Sequence, residues 1–135
     1  MHLLVRLAPA VVAFTLSLPA AAQEPVVPRP NVLVRQILEG MPKGDKQEVS
    51  ILTATLKPGA MTVHHTHRFP VGVYVVEGAF TLEVEGSAPI TVKAGEAMTE
   101  PAKAKMIGYN RTATDTKVVI FYVADPGTPF LDAIH

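Results

Sequence analysis

Beyond residue 45 the chain alternates apolar and polar positions in short runs, each cut off by glycine or proline. The clearest run is 48–57, which sets Val49, Ile51, Thr53 and Thr55 against Ser50, Leu52, Ala54 and Leu56. A strand turns successive side chains to opposite faces, so a period of two predicts a strand. The same reasoning predicts strands over 61–67, 71–77, 80–84, 90–92, 97–100, 106–109 and 117–124. The apolar stretch 32–38 reads as a first strand before them. Turn residues separate the runs: Gly40, Pro42, Gly44 and Asp45 first, then Pro58-Gly59, Gly78 and Gly86-Ser87. Residues 126–135 show no strong period and read as a tail. Short strands with tight turns and no helical period predict an all-β antiparallel sandwich or barrel over 32–125.

Composition bounds this picture. A length of 135 residues allows one domain, and 48% hydrophobic against 18% charged content allows a packed core. Formal net charge is zero, with no basic stripe and no charge block. That argues against nucleic acid and against a membrane surface as partners. There is no cysteine, so thiolate catalysis, cysteine-bound metal and a blue-copper centre are excluded.

The N-terminus reads as a leader. A short positive segment ends at Arg6, residues 7–18 are apolar, and Ala20-Ala21-Ala22 fits a small-residue cleavage site. The apolar run is too short to span a bilayer as an anchor. The expectation is a signal peptide over 1–22, a mature chain starting at Gln23, and a bacterial periplasmic or secreted location. Residues 23–31, with Pro25, Pro28 and Pro30, then form an extended arm.

Candidate chemistry concentrates in residues 58–78. On a regular strand His65 and His67 share a face with Met61 and Val63, while Thr62, His64 and Thr66 point the other way. Two imidazoles on one rigid face grip a single ion. The plainer reading is two polar residues on an exposed strand edge, but the apolar same-face neighbours favour ligation. His64 reads as solvent-exposed, and Met61 and Met98 read as core residues with sulfur to offer. Phe69, Tyr74, Phe80 and Tyr109 pack the core or shape a small-molecule pocket. Glu77, Glu96 and Glu100 read as surface or turn residues. His135 is terminal, and no nucleophile elbow or phosphate loop is present.

The spacing of this segment resembles the cupins. Their first motif runs here from Gly59 through five residues to His65-Thr66-His67, then three residues to Val71 at the acidic position, then six to Gly78. The second runs from Gly95 through five residues to Pro101, with Lys103 at the glycine position, Met106 at the histidine position and Asn110 closing it. The resemblance implies a single cupin jelly-roll (double-stranded β-helix) barrel. It also implies a homodimer, which the apolar segment 31–38 could form.

Met106 stands where the family places a third histidine, and two readings stay open. It is a thioether ligand, making a His65, His67 and Met106 site, or it is an apolar replacement. With Val71 removing the carboxylate, imidazole and thioether suit copper, especially Cu(I). The leading expectation is therefore an exported metal-binding cupin, copper favoured. The alternatives are a cupin oxygenase or isomerase acting on a small organic molecule, and a metal-free small-molecule-binding barrel.

Overall fold

The computed structural model describes residues 22–135. The expected leader, apart from Ala22, lies outside them. Residues 22–30 are exposed and carry no regular secondary structure. The unit Asn31–His135 holds nine strands. They are β1 (Glu48–Leu56), β2 (His65–Thr66), β3 (Val71–Glu77), β4 (Ala79–Val84), β5 (Ile90–Lys93), β6 (Ala97–Glu100), β7 (Met106–Tyr109), β8 (Thr116–Ala124) and β9 (Asp132–Ala133). No helix interrupts them among the described residues.

The strands form two antiparallel sheets. One is ordered β1-β8-β3-β6 and the other β5-β4-β7-β2-β9. Strand β8 shows why the pattern folds this way: Thr116, Val118, Ile120, Tyr122 and Ala124 are buried, and the residues between them face outward. It lies between β1 and β3, so its ladder is complete on both sides. Val71, Val73, Val75 and Met98 join it from the first sheet; Phe80, Leu82, Val92 and Met106 answer from the second. Each fully buried aliphatic or aromatic side chain contributes about 1.5–3 kcal/mol of transfer free energy, so this core forms without disulfides.

Two turn positions depend on backbone conformation. Gly78 has φ +77°, and a Cβ there would lie 2.6 Å from Thr116 Oγ1 and 2.7 Å from the Asp115 carbonyl. Only glycine closes the β3–β4 turn against β8. Lys103, in the place of the second motif's glycine, takes φ +61° as well. Its amide donates to the His67 carbonyl at 2.7 Å, which ties this loop to the histidine segment. Asn110 is buried and fully bonded: Nδ2 donates to the Leu56 and Thr114 carbonyls, and Oδ1 accepts from Thr112. It pins the β7–β8 turn to the end of β1.

Three expectations are corrected. Residues 32–38 form no strand. Val32, Leu33 and Val34 are apolar in succession instead of alternating, and all are exposed; the segment meets β6 through the Thr99 hydroxyl, which donates to Gln36 at 2.6 Å. Residues 61–67 hold only the two-residue β2 and one isolated bridge, Met61 to Tyr109. Residues 126–135 are more than a tail, because β9 pairs with β2 and closes the second sheet.

Candidate metal centre

The short β2 fixes the site. His65 pairs with Met106 of β7 on one side and with Ala133 of β9 on the other. His65 and His67 are 4% and 1% exposed, although Met61 and Val63 are 61% and 58% exposed. The strict alternation expected from Met61 onward therefore fails, and the chain changes face between Thr62 and His65. Thr62 turns inward: its hydroxyl accepts from the Gly108 amide at 2.9 Å and donates to the Val63 carbonyl at 3.0 Å. His64 points away from His65, with Nε2 3.3 Å from Glu85 on the surface.

Each buried imidazole is oriented by one carbonyl. His65 Nδ1 lies 2.7 Å from the Val63 carbonyl, and His67 Nδ1 lies 2.6 Å from the Phe130 carbonyl. A carbonyl only accepts, so both Nδ1 atoms carry hydrogen. In the neutral rings both Nε2 atoms are then bare lone pairs. They face one another at 3.1 Å, with ring centroids 4.8 Å apart. A carbonyl that accepts from the far ring nitrogen in this way sets the tautomer of a metal-binding histidine.

The third member of the cluster is Glu100, the last residue of β6. Its Oε2 lies 3.1 Å from His67 Nε2, and the side chain is 5% exposed. The three candidate donor atoms all lie within 4.8 Å of one another. Reading Glu100 as a surface residue was wrong, whereas Glu77 and Glu96 do lie outside, bound to Lys117 and to the Lys93 amide. Parity within β6 carried the missing signal: Glu100 shares the inward face with buried Met98. Register explains its role. Glu100 is the cross-strand partner of Val71, the residue at the first motif's acidic position. The carboxylate absent from β3 is supplied from the adjoining strand.

Met106 is 1% exposed and sits opposite His65 in the β2–β7 ladder. It belongs to the core cluster and does not border the cavity that His65, His67 and Glu100 share. Met98 is core, whereas Met61 is exposed. Of the four aromatic candidates, Phe80 lines that cavity. Phe69 packs on Tyr122, Tyr109 lies 4.3 Å under the Arg111 guanidinium, and Tyr74 is on the outer side of its sheet.

Burial pushes the His65 imidazole below its ordinary range; the Val63 carbonyl opposes this and the neighbouring His67 adds to it. Tyr122 stacks near His67 and Phe130, at centroid distances of 6.1 and 5.6 Å. Burial raises its phenol, while the Phe69 and Arg68 amides pull the other way without reaching hydrogen-bonding geometry, so the buried hydroxyl has no partner.

Two imidazole lone pairs and a carboxylate oxygen that converge in a buried space repel one another unless a cation or a proton lies between them. The donor set fits a divalent transition metal: nitrogen and oxygen donors, tautomers fixed from behind, and a cavity in front. Among the described residues no lysine or arginine lines that cavity to take the cation's place.

The fold is that of solved cupin structures. The polyketide cyclase RemF from Streptomyces resistomycificus superposes with a TM-score of 0.53 at 19% identity, covering 64% of this chain and 61% of that one. A cupin-like protein from Thermotoga maritima gives 0.53 at 17% identity, with 64% of each chain covered. The DMSP lyase DddQ from Ruegeria pomeroyi gives 0.53 at 14% identity, over 60% of this chain and 41% of that one. The chain thus spans less than two thirds of each of these structures, and identities this low establish the fold alone. No curated protein sequence matches the chain. The model of the cupin domain family matches residues 52–122, more than half of the 135, and includes both histidines, Glu100 and Met106. With both motifs in register and the jelly-roll sheets in place, the chain belongs to the cupin family.

Proposed function

We propose that this cupin binds a transition-metal ion through His65, His67 and Glu100 and presents it to a small organic ligand. One observation supports the reading above others. Both Nδ1 atoms are committed to carbonyls, which leaves two Nε2 lone pairs beside a buried carboxylate. The ion would supply Lewis acidity and free coordination positions. The chain's own part is to hold the tautomers, to supply the carboxylate from β6, and to exclude water with Phe130 and its neighbours.

Copper is our favoured ion. Cu(II) binds nitrogen and oxygen sets most tightly among first-row divalent ions. Met106 is buried across the ladder from His65 but does not border the cavity, so it enters as the competing donor that a Cu(I) site of His65, His67 and Met106 would need. A competing-chelator assay separates the donor sets. His67→Ala is expected to lose Cu(II) affinity by about 100-fold or more, and Glu100→Gln by about 10- to 100-fold. Met106→Leu keeps volume, so it is expected to leave Cu(II) affinity nearly unchanged and to weaken Cu(I). If Glu100→Gln binds like wild type and Met106→Leu does not, the ligands are His65, His67 and Met106. If no ion is retained by wild type, the metal-free binding barrel takes over.

The second reading is an enzyme, an oxygenase or isomerase acting on a small organic molecule. It is favoured by Glu100, which returns a buried carboxylate to the site as ligand or general base. We further propose export, with a mature terminus near Gln23, checked by N-terminal sequencing from the native host. We also propose a homodimer. Val49, Ile51 and Phe121 leave an apolar outer face on β1 and β8, and exposed Val32, Leu33 and Val34 border the same pocket as Phe121. Sedimentation equilibrium tests it.

A further inference from the structure

The cavity in front of the trio encloses about 220 Å³. Ala54, Val73, Val118 and Ile120 line it from the first sheet, Phe80 lines it from the second, and Phe130 and Leu131 line it from the segment before β9. Apart from the trio, the polar side chain on its surface is Thr62, whose hydroxyl is already bonded both as donor and as acceptor. All free polar capacity therefore sits at one end. The Arg68 guanidinium, next in sequence to His67, is on the outside and engaged with Asp132 through Nε and Nη2.

Size limits what can enter. An apolar cavity of about 150 Å³ holds a benzene molecule. A space of about 220 Å³ shared with an ion therefore takes one six-membered ring with a short substituent. Charge limits it further. One carboxylate and two neutral imidazoles around a divalent ion leave one net positive charge. A ligand held as a single oxyanion, such as a phenol that releases its hydroxyl proton to solvent on binding, would neutralise it. A dianion leaves an unpaired negative charge among valine, isoleucine and phenylalanine, with no lysine or arginine of the described residues lining the cavity to offset it, and such burial is costly.

Resting on the metal reading above, we infer that the ligand of this cavity is a small monocyclic phenol, bound through its single oxygen at the trio with its ring against Val73, Val118 and Phe80. Dicarboxylates and sugars are excluded, because their several polar groups meet no partners.

The test uses the full chain loaded with Co(II), whose visible absorption reports ligands entering the metal's coordination sphere. The probes are 4-methylphenol and malonate. The expected result is a shifted cobalt spectrum with 4-methylphenol, and binding at least about ten times tighter than malonate. Ala54→Phe places a ring in the cavity and is expected to weaken 4-methylphenol at least about ten-fold on cobalt-saturated protein. Ala54→Met, a milder filling, is expected to weaken it less and serves if the larger variant does not fold. Malonate binding as tightly as 4-methylphenol overturns the inference. So does cobalt-saturated protein that ignores 4-methylphenol, or binding that both variants leave unchanged. Failure to take up Co(II) is a different result and defeats the metal reading. Calorimetry of 4-methylphenol with the metal-free chain then decides for the cavity: binding lost in the Ala54 variants supports it, and no binding overturns it.

Discussion

Val71 and Glu100 face each other across the β3–β6 ladder, and their side chains point into the same interior. Cβ atoms of such partners lie about 4.5–5.5 Å apart, well within reach for a carboxylate to serve one site from either strand. Glu100→Val is expected to cut metal affinity about 100-fold. Val71→Glu in the same chain, moving the carboxylate to the motif's position, is expected to recover most of that loss. A chelator competition on the two single variants and the double variant measures the coupling. A double variant as weak as Glu100→Val shows that position 71 cannot substitute. His65 carries a second prediction, for the metal-free protein. Its folded imidazole is held below the ordinary 6.5, chiefly by burial. The unfolded chain therefore takes up this proton at a higher pH than the folded one. Stability is then full above about pH 6.5 and declines as pH falls below it, until the folded ring also protonates. Urea midpoints at about pH 7.5, 6.5 and 5.5 are expected to fall in that order, with a shallower fall in His65→Gln. A midpoint that rises on acidification contradicts the burial argument.

At the scale of elements, the unexpected part is β9 and the loop before it. Two residues of strand pairing, the Ile134 amide donating to the His64 carbonyl at 2.8 Å, and the double contact of Arg68 with Asp132 hold it in place. The ion pair is exposed at both ends and contributes little by itself. The anchor is Phe130, whose ring packs 4.8 Å from His67 and whose carbonyl orients that histidine. Phe130→Ala keeps the carbonyl and removes the packing. It is expected to cost about 2 kcal/mol, below the range for a fully buried phenylalanine because Phe130 is only partly covered. It is also expected to open the cavity to solvent, so that a water-soluble quencher reaches a ligand bound at the trio. Wild-type stability in this variant would show that the segment rests on its backbone pairing alone.

For the whole molecule, the core is built from both sheets and does not include the ion. Valine, isoleucine, leucine and phenylalanine from β3, β4, β5 and β8 meet between the sheets. Removing metal is therefore expected to leave far-ultraviolet circular dichroism unchanged. Melting is expected to fall only by the binding free energy, about 2.7 kcal/mol where the free ion stands at a hundred times its Kd. Loss of β-sheet signal on chelation would mean that the trio, not the core, holds the sheets together.

The sequence by itself determined the all-β class, the runs that became β1 and β3 to β8, and the pair His65 and His67. Those features depend on local periods and turn residues: β8 alternates over nine residues, and Gly78 marks a turn that only glycine closes. The motif spacing carried the family. Tertiary structure alone decided the rest. Apolar content in 32–38 did not make a strand, because strand formation needs a partner ladder and not only apolar side chains. The parity argument from Met61 failed because β2 pairs over two residues, too few to impose one face on its neighbours. Glu100 joined His67 from 33 positions away through the β3–β6 register, and Phe130 covered it from 63 away. Alternation shows which way a side chain faces along its own strand. It does not show which strand lies beside it, and for this site that neighbour supplied the carboxylate.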